Sequence, residues 1–444
     1  MRNWIALATL LLSPATVVFG QRSLLVDLSP QVPQVLPGPT VDSLNEAWVI
    51  VGMDPGGQLS MVAGILDGQL IDSIPGPAPL GLIALPRSSS QLANQVAFLP
   101  GVAFVEPVRR LSVPQAPGCN ATVSLPVTLP AAASGAPPFA GSGCIAFFDG
   151  DPTPSEYFDQ PALAALDVTA VHPFLSGTIS TVAVIDTGID ATHPVLLGRV
   201  LPGGFDFVDR NAFPLEKSDG IDNDLDGLVD EAYGHGTHIA GTIVLLNPDA
   251  RILPLRVLDS DGNGSSFAVA EAIYYAIASG ADVINLSLGM DGESLAVRDA
   301  IDAAHDANIV VVAAAGNGGE KLVQFPARES HVLAIAAVDE FDTKAPFSSF
   351  GKSVEFSAPG VNIYSAMPGD QYAWWSGTSM ATSVVSGAVS LLHSLSGDPF
   401  DTDADDFLEE TSKSIQWKNP GFKEYLGEGR IDPVAAAFEL ISEL

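Results

Sequence analysis

The sequence predicts an α/β protein in which a mostly parallel sheet lies between helices, preceded by a small α+β unit. From about residue 154, near-continuous apolar runs such as STVAVIDTG and ANIVVVAAAGN alternate with helix-like stretches such as FAVAEAIYYAIASG. Strands that are apolar along their whole length are typical of a parallel sheet covered on both faces. In residues 42–111, the strand-like segments EAWVIVGM, LGLIALP and AFVEPVRRL surround the helix-like segments QLSMVAGIL and SSSQLANQVAFLPGV, which predicts a separate unit.

The composition is that of a folded and strongly acidic protein. The 444 residues are 47% hydrophobic and 16% charged, which is enough apolar content for a large core. The 19 basic residues against 52 acidic ones give a formal net charge of −33. Such a surface repels nucleic acid and anionic membranes and attracts divalent cations. We therefore expect no nucleic-acid partner, no stable membrane association and a monomer.

Residues 1–20 have the layout of a secretory signal peptide. A positive charge at Arg2 precedes an apolar run that ends at Phe19, and the small residue Gly20 offers a cleavage point. The alternative is an uncleaved membrane anchor, but Pro14 and neighbouring polar residues leave the run short of a bilayer span. We therefore expect a secreted, extracellular protein.

The rest of the chain divides into three parts. Residues 21–111 hold the small α+β unit, and residues 112–153 form a proline-rich linker. The linker contains Cys119 and Cys144, which are the only cysteines of the chain. In an exported protein they either form a disulfide or remain two free thiols. Residues 154–444 form the main α/β domain.

Three short motifs place reactive side chains at the ends of strands or helices. AVIDTGID puts Asp186 directly after an apolar strand, GHGTHIAGT puts His235 at the start of a helix, and SGTSMATSVVSGAVSLL puts Ser379 at the start of a long helix. Taken singly, an Asp or a Ser in such a place is often only a helix cap. In parallel sheets, however, functional sites collect at the carboxyl ends of the strands.

Together, these motifs resemble the subtilisin-like serine peptidases. The resemblance covers residues 154–442 and includes the ending GEGRIDPVAAAFEL, which is similar to the last helix of that family. It implies a subtilisin-like three-layer domain and serine endopeptidase activity. Residues 42–111 bear a weaker resemblance to the propeptide of the family, an inhibitor and folding assistant, so the chain's own propeptide is an expected intramolecular partner.

The resemblance assigns a role to each reactive residue. It makes Ser379 the nucleophile, His235 the general base and Asp186 the group that orients the imidazole. Asn317, in AAAGNGG, is implied as a donor to the oxyanion, whereas without the resemblance it reads as a loop residue that tolerates positive φ. The chain departs from the family at Ser383, where proline is usual; no reacting group is lost, so this questions helix geometry more than activity.

The resemblance also predicts where polypeptide substrates bind. Two segments, NLSLG and SDGNGS, are expected to pair with an extended peptide by strand addition, and a small pocket is expected beside them. The apolar residues of the pocket wall suggest an apolar or broad preference, and Gln324 either lies near the base of the pocket or is a solvated loop residue. The implied substrate-binding residues are Ser287, Leu288, Gly289, Gly262, Asn263, Gly264 and Ala315.

The acidic stretch SDGIDNDLDGLVDEAYGHGTH predicts a structural calcium site. Carboxylates at alternate positions followed by Gly227 match a tight loop that directs hard oxygen ligands onto one cation. The alternative is a solvated acidic loop, but so many close carboxylates repel one another without a cation. Zinc is disfavoured because the two histidines flank Gly-Thr rather than the glutamate-containing helix of a zinc protease. The expected ligands are Asp222, Asp224, Asp226, Leu228, Asp230 and Glu231.

The sequence therefore predicts a secreted, calcium-stabilised serine endopeptidase, made as a zymogen that cleaves itself within residues 112–153. Two alternatives belong to other classes. One is a catalytically idle binding protein with a peptidase fold, although Asp186, His235, Ser379 and Asn317 are all present. The other is a peptide ligase or cyclase that uses the same acyl-enzyme, which the sequence does not separate from a hydrolase.

Overall fold

The computed structural model describes residues 48–85, 96–114, 147–148, 154–175, 177–290, 292–396 and 404–444. The predicted signal peptide, both cysteines and most of the predicted linker lie outside these residues, as does part of the segment SSSQLANQVAFLPGV. Among the described helices, none is both long enough and apolar enough to cross a bilayer.

The small N-terminal unit is a four-stranded antiparallel sheet with one described helix against it. The strand order is β2-β3-β1-β4, and its separate core includes Val51, Val62 and Ile83. The segment QLIDSI, not expected as a strand, pairs with β3 along one edge. The elements are β1 Trp48–Met53, α1 Leu59–Ile65, β2 Gln69–Ile74, β3 Leu80–Ala84 and β4 Val102–Pro107.

The rest of the described chain builds the main domain around a seven-stranded sheet. Every pairing within that sheet is parallel, as expected. The further strands are β5 Arg110–Ser112, β6 Phe147–Phe148, β7 Thr181–Asp186, β8 Phe205–Asp206, β9 Arg251–Arg256, β10 Asn263–Ser265, β11 Val283–Leu286, β12 Val310–Ala314, β13 Val332–Val338, β14 Phe356–Pro359, β15 Ile363–Met367 and β16 Gln371–Trp375. The large sheet has the order β14-β13-β12-β11-β7-β9-β8.

Helices cover both faces of the large sheet, which gives three layers. The helices are α2 Pro154–Phe158, α3 Pro161–Ala164, α4 His235–Leu246, α5 Ser266–Ala278, α6 Leu295–Asp306, α7 Thr378–Ser396, α8 Ala404–Thr411 and α9 Pro433–Glu443. Alternate residues of β7 show the layering: Val182 and Val184 pack in one core with α4 and α7, whereas Ala183 and Ile185 pack in the other with α5 and α6. The predicted fold class is confirmed.

The carboxyl edge of the sheet gathers the residues expected to react. Strand β7 ends at Asp186, and Asn317 follows three residues after the end of β12. Helix α4 begins at His235, and Ser379 is the second residue of α7. Parallel strands all end at the same edge, so residues far apart in the chain meet there.

A buried ion pair joins the edge strand β8 to its neighbour β9. Arg256 Nη1 lies 2.9 Å from Asp206 Oδ2, and both side chains are almost fully buried. We expect Arg256→Met to lower the free energy of unfolding by about 3 kcal/mol, because the buried Asp206 carboxylate loses its closest guanidinium. Urea denaturation followed by tryptophan fluorescence measures this. Arg251, which donates only to backbone carbonyls, is the control, and an equal loss in Arg251→Met would contradict the ion-pair argument.

Candidate active site

Asp186 and His235 form a buried, hydrogen-bonded pair. His235 Nδ1 lies 2.8 Å from Asp186 Oδ1, and both side chains are 1% exposed. The backbone N–H of Thr187 donates to the same carboxylate oxygen over 2.8 Å. The other ring nitrogen, His235 Nε2, is buried and has no hydrogen-bond partner among the described residues. The ring packs edge-on against Trp375 with the centroids 5.2 Å apart, so the imidazole is fixed with one nitrogen still available.

Glycine allows α4 to begin directly against the end of β7. A Cβ atom added at Gly236 would lie 2.2 Å from the Gly188 carbonyl oxygen and 3.2 Å from the Asp186 Cβ. The Gly236 N–H instead donates to Thr187 Oγ1 over 2.9 Å. Only a residue without a side chain permits this approach, which brings His235 to Asp186.

Ser379 and Asn317 lie at the amino end of α7. The side-chain oxygen of Asn317 accepts hydrogen bonds from the N–H and the hydroxyl of Thr378, each over 2.9 Å. This fixes the amide so that Nδ2 points into the cleft, where it donates to the Pro114 carbonyl over 2.5 Å. The Ser379 hydroxyl donates to the Ser287 carbonyl over 3.2 Å and makes no hydrogen bond with His235 Nε2.

The two segments expected to bind substrate hold an extended piece of this same chain. Ser112 exchanges two backbone hydrogen bonds of 2.9 Å with Gly289. On the other side, β5 pairs antiparallel with β10, which contains Asn263 and Gly264, and the Val113 N–H donates to the Gly262 carbonyl over 3.0 Å. Residues 110–114 therefore occupy the cleft as a peptide would, and they include the boundary between the predicted propeptide and linker.

A glutamine side chain lies where the first specificity pocket is expected. The Gln324 N–H donates to the Ala315 carbonyl over 3.0 Å. Cβ atoms added at Gly289 and Gly316 would meet Gln324 Oε1 at 2.6 and 2.7 Å. That oxygen is buried and has no hydrogen-bond partner among the described residues. Gln324 thus packs between the two glycines, and Leu288 is fully buried beside it.

Three residues of the acidic loop meet in a geometry suited to a metal ion. Asp222, Asp224 and Asp226 each offer a carboxylate oxygen, and these atoms lie within 4.8 Å of one another. Carboxylate oxygens are the donors that calcium prefers. The Asp230 carboxylate accepts hydrogen bonds from the backbone N–H groups of residues 219 and 220, over 2.9 and 3.0 Å. The Leu228 N–H donates to Asp226 Oδ1 over 2.8 Å.

Asp261 is hydrogen-bonded to the acidic loop, and the sequence did not predict this contact. Its carboxylate accepts a hydrogen bond from the Asp230 N–H over 2.6 Å and another from the Asn223 N–H. Burial, with the charges of Asp261 and the loop aspartates, raises the pKa of Glu231 to about 8. No local pattern predicts this role, because Asp261 lies 31 residues from its nearest partner in the loop.

Comparison with known proteins identifies the family. The subtilase family model matches residues 177–429, and thermitase of Thermoactinomyces vulgaris is 39% identical over 260 residues, covering 59% of this chain and 89% of thermitase. The chain belongs to the subtilase family. It is a serine-type endopeptidase, which confirms the expected enzyme class.

Two further relatives differ more in length from this chain. The thermophilic serine proteinase of Bacillus sp. (strain AK1) is 43% identical over 223 residues, covering 48% of this chain and 52% of that protein. The crystal structure of fervidolysin from Fervidobacterium pennivorans, a keratinolytic enzyme related to subtilisin, matches with a TM-score of 0.67 and 26% identity. That match covers 88% of this chain and 61% of fervidolysin.

Proposed function

We propose that this subtilase is a secreted, calcium-stabilised endopeptidase, made as a zymogen that cleaves itself, with Ser379, His235, Asp186 and Asn317 as its catalytic residues. The observation that carries the proposal is the placement of residues 110–114. Their backbone pairs with both edges of the cleft, and the Pro114 carbonyl accepts the Asn317 amide hydrogen bond. A carbonyl held in this way is poised for attack, so the bond to be cleaved is Pro114–Gln115.

The four residues divide the chemistry of acyl transfer. Ser379 Oγ attacks the carbonyl carbon while its proton passes to His235 Nε2, and His235 then returns the proton to the leaving amine. The negative charge on the former carbonyl oxygen is stabilised by Asn317 Nδ2 and by the Ser379 N–H at the amino end of α7. Water then hydrolyses the acyl-enzyme by the same proton transfers in reverse.

Asp186 keeps the imidazole in the tautomer that this sequence of steps requires. With Nδ1–H donated to the carboxylate, Nε2 is the basic nitrogen, and the charge of Asp186 stabilises the imidazolium that forms. In the precursor the Ser379 hydroxyl donates to Ser287 instead. A change of the Ser379 side-chain rotamer toward His235 Nε2 therefore precedes attack.

The small N-terminal unit acts as an inhibitor that is held by carboxylates. The Glu106 carboxylate accepts hydrogen bonds from the Ser294 hydroxyl and from the N–H groups of Leu295 and Ala296, over 2.7, 2.8 and 3.1 Å. These are the unpaired donors at the amino end of α6, where negative charge is favourable. Asp72 forms a second contact with Arg210. These contacts keep residues 110–114 in the cleft after cleavage.

Calcium is the cation that fits the acidic loop. Asp222, Asp224 and Asp226 would hold it directly, with the Leu228 carbonyl, Asp230 and Glu231 as the further expected ligands. The ion supplies charge compensation and rigidity and takes no part in the reaction. Asp261 links this loop by hydrogen bonds to the segment that carries Asn263, so a rigid loop supports one edge of the cleft.

Self-cleavage is tested by mass spectrometry of the purified precursor. We expect the wild-type protein to yield a new terminus at Gln115, and the Ser379→Ala variant to keep the Pro114–Gln115 bond intact. Ser383→Ala is the matched control, because Ser383 lies on the same helix and its hydroxyl donates only to the Met380 carbonyl. Cleavage that persists in Ser379→Ala would sink the assignment of the nucleophile.

Calcium binding is tested in the uncleavable Ser379→Ala protein by titration calorimetry and thermal unfolding. We expect one calcium ion to bind this loop and to stabilise the protein by about 2.7 kcal/mol at a hundredfold excess over its Kd. Asp224→Asn should weaken binding at least tenfold, since it removes one charged ligand. The control Asp167→Asn changes an exposed aspartate at positive φ, and equal affinities in the two variants would refute the site.

The size of the first pocket is tested by Gln324→Gly. We expect the wild type to prefer small residues, such as alanine, at the position whose carbonyl is attacked, because Gln324 fills space between Gly289 and Gly316. In the variant, kcat/KM for a phenylalanine peptide should rise by about tenfold or more relative to kcat/KM for the alanine peptide. This factor corresponds to the free energy gained when a large apolar side chain is buried. An unchanged ratio would show that Gln324 does not limit the pocket.

A further inference from the structure

A carboxylate outside the four proposed catalytic residues lies against the backbone that joins Asp186 to His235. Glu216 Oε2 accepts hydrogen bonds from the Thr237 hydroxyl over 3.0 Å and from the Thr237 N–H over 3.3 Å. Its other oxygen, Oε1, is buried. Thr237 is the third residue of α4, two residues after His235. Glu216 thus contacts the same helix turn that carries the proposed base.

The amino end of α4 depends on donors and acceptors from other segments. Its first residues have N–H groups without partners inside the helix, and the N-cap residue, Gly234, has no side chain to supply one. Gly236 donates to Thr187 Oγ1 and Thr237 donates to Glu216. Glu216 therefore serves as a cap from a distant part of the chain, with a negative charge at the positive end of the helix.

The segment that carries Glu216 is itself fixed against the end of β7. The Ile189 N–H donates to the Pro214 carbonyl over 3.0 Å. A Cβ atom added at Gly188 would lie 2.6 Å from the Leu215 carbonyl oxygen, so the two segments are in direct backbone contact. The Glu216 carboxylate is consequently held by backbone on one side and by α4 on the other.

We infer that Glu216 is a positioning residue of this peptidase, which holds the first turn of α4 against β7 through its hydrogen bonds with Thr237. The inference rests on the proposed roles of Asp186, His235 and Ser379. The hydrogen bonds of Glu216 in the described structure come from Thr237 and not from the cleft strand. Its effect is therefore expected in the chemical step rather than in substrate binding.

The surroundings of the carboxylate agree with this role. Burial raises the pKa of Glu216 to about 7, and the nearby charge of Asp186 acts in the same direction, whereas hydrogen bonds from Gly234, Thr187 and Thr237 oppose the rise. Lys217 is turned away toward Asp206 and Asp209. The ionisable groups that interact with Glu216 are Asp186 at the end of β7 and Tyr233 in the loop before α4.

The sign of the expected pH effect follows from these charges. Ionised Glu216 places a negative charge at the positive end of α4, where it stabilises the turn that carries His235. As the pH falls through about 7, Glu216 takes up a proton and this support is lost. The acid limb of the wild-type kcat/KM profile should therefore be broader than that of a single ionisation, because protonation of Glu216 adds to the loss of activity along it.

The experiment measures kcat and KM for a peptide substrate over pH 5–9 in the mature wild type, Glu216→Gln and Glu216→Asp. Each rate is divided by the concentration of active sites, which is determined by labelling with a sulfonyl fluoride. In Glu216→Gln we expect kcat to fall about tenfold with KM unchanged, and the acid limb to narrow to that of a single ionisation. Glu216→Asp should restore part of kcat and the broad limb. Asp282→Asn is the control, because Asp282 binds Thr181 at the opposite end of β7 and its pKa is also raised, to about 6.

Each outcome separates this inference from the proposed function. A single sharp ionisation along the acid limb of the wild-type profile would overturn the inference, and this measurement does not require any variant to fold. A fall in kcat without any change in the limb would reduce Glu216 to a structural residue. If the sulfonyl fluoride labels no site in the wild type and the wild type cleaves no peptide, the assignment of the catalytic residues is wrong. Glu216 then has no reaction to support.

Discussion

The backbone contact between β7 and α4 is the constraint from which the site follows. At Gly236 the two segments approach so closely that a Cβ atom would overlap the Gly188 carbonyl, and this approach places Nδ1 of His235 at hydrogen-bond distance from Asp186. The sheet makes the contact possible because β7 lies inside the sheet, between β9 and β11, and is packed on both faces. Its end therefore moves little, and α4 is held against it by its whole buried length. Asp186 and His235 are therefore held in place by the packed core.

In the zymogen that we propose, occupation of the cleft by residues 110–114 controls access to the candidate catalytic residues. The contacts are mostly between backbone groups, at Ser112 and Val113, so they carry little sequence information and would suit many peptides. Because the strand belongs to the same chain, its effective concentration at the cleft is far higher than that of any free substrate. Release of the N-terminal unit must then overcome the contacts of Glu106 and Asp72 together with the strand pairing.

The sequence predicted most of the central sheet and singled out the candidate catalytic residues, but it did not predict how distant segments meet. Continuous apolar runs such as STVAVIDTG are strong local signals, and Asp186, His235 and Ser379 each stand in a glycine-rich motif. Strands β14 and β16 were not predicted because FSAP and QYAWW are short and bordered by glycine or turns. Ser112–Pro114 read as the start of a linker from their proline content, since their partners lie some 150 residues away or more. Nothing in the sequence singles out Glu216 or Asp261, because the hydrogen bonds of both carboxylates come from residues that are not adjacent in the chain.

The carboxylates of Asp186, of the acidic loop and of Glu216 show that the residue type alone does not define a role in so acidic a chain. Asp186 is buried but paired with an imidazole and a backbone N–H, so its charge is directed at His235. Asp222, Asp224 and Asp226 accept backbone hydrogen bonds within their own loop, but they lie so near one another that their mutual repulsion favours a cation. Glu216 has neither a cation nor a metal-like cluster, and the donors around it belong to the backbone and threonines that surround the reactive pair. A carboxylate buried there at a cost in desolvation is retained only if its contacts offset that cost, and the contacts it makes are those that fix the position of His235.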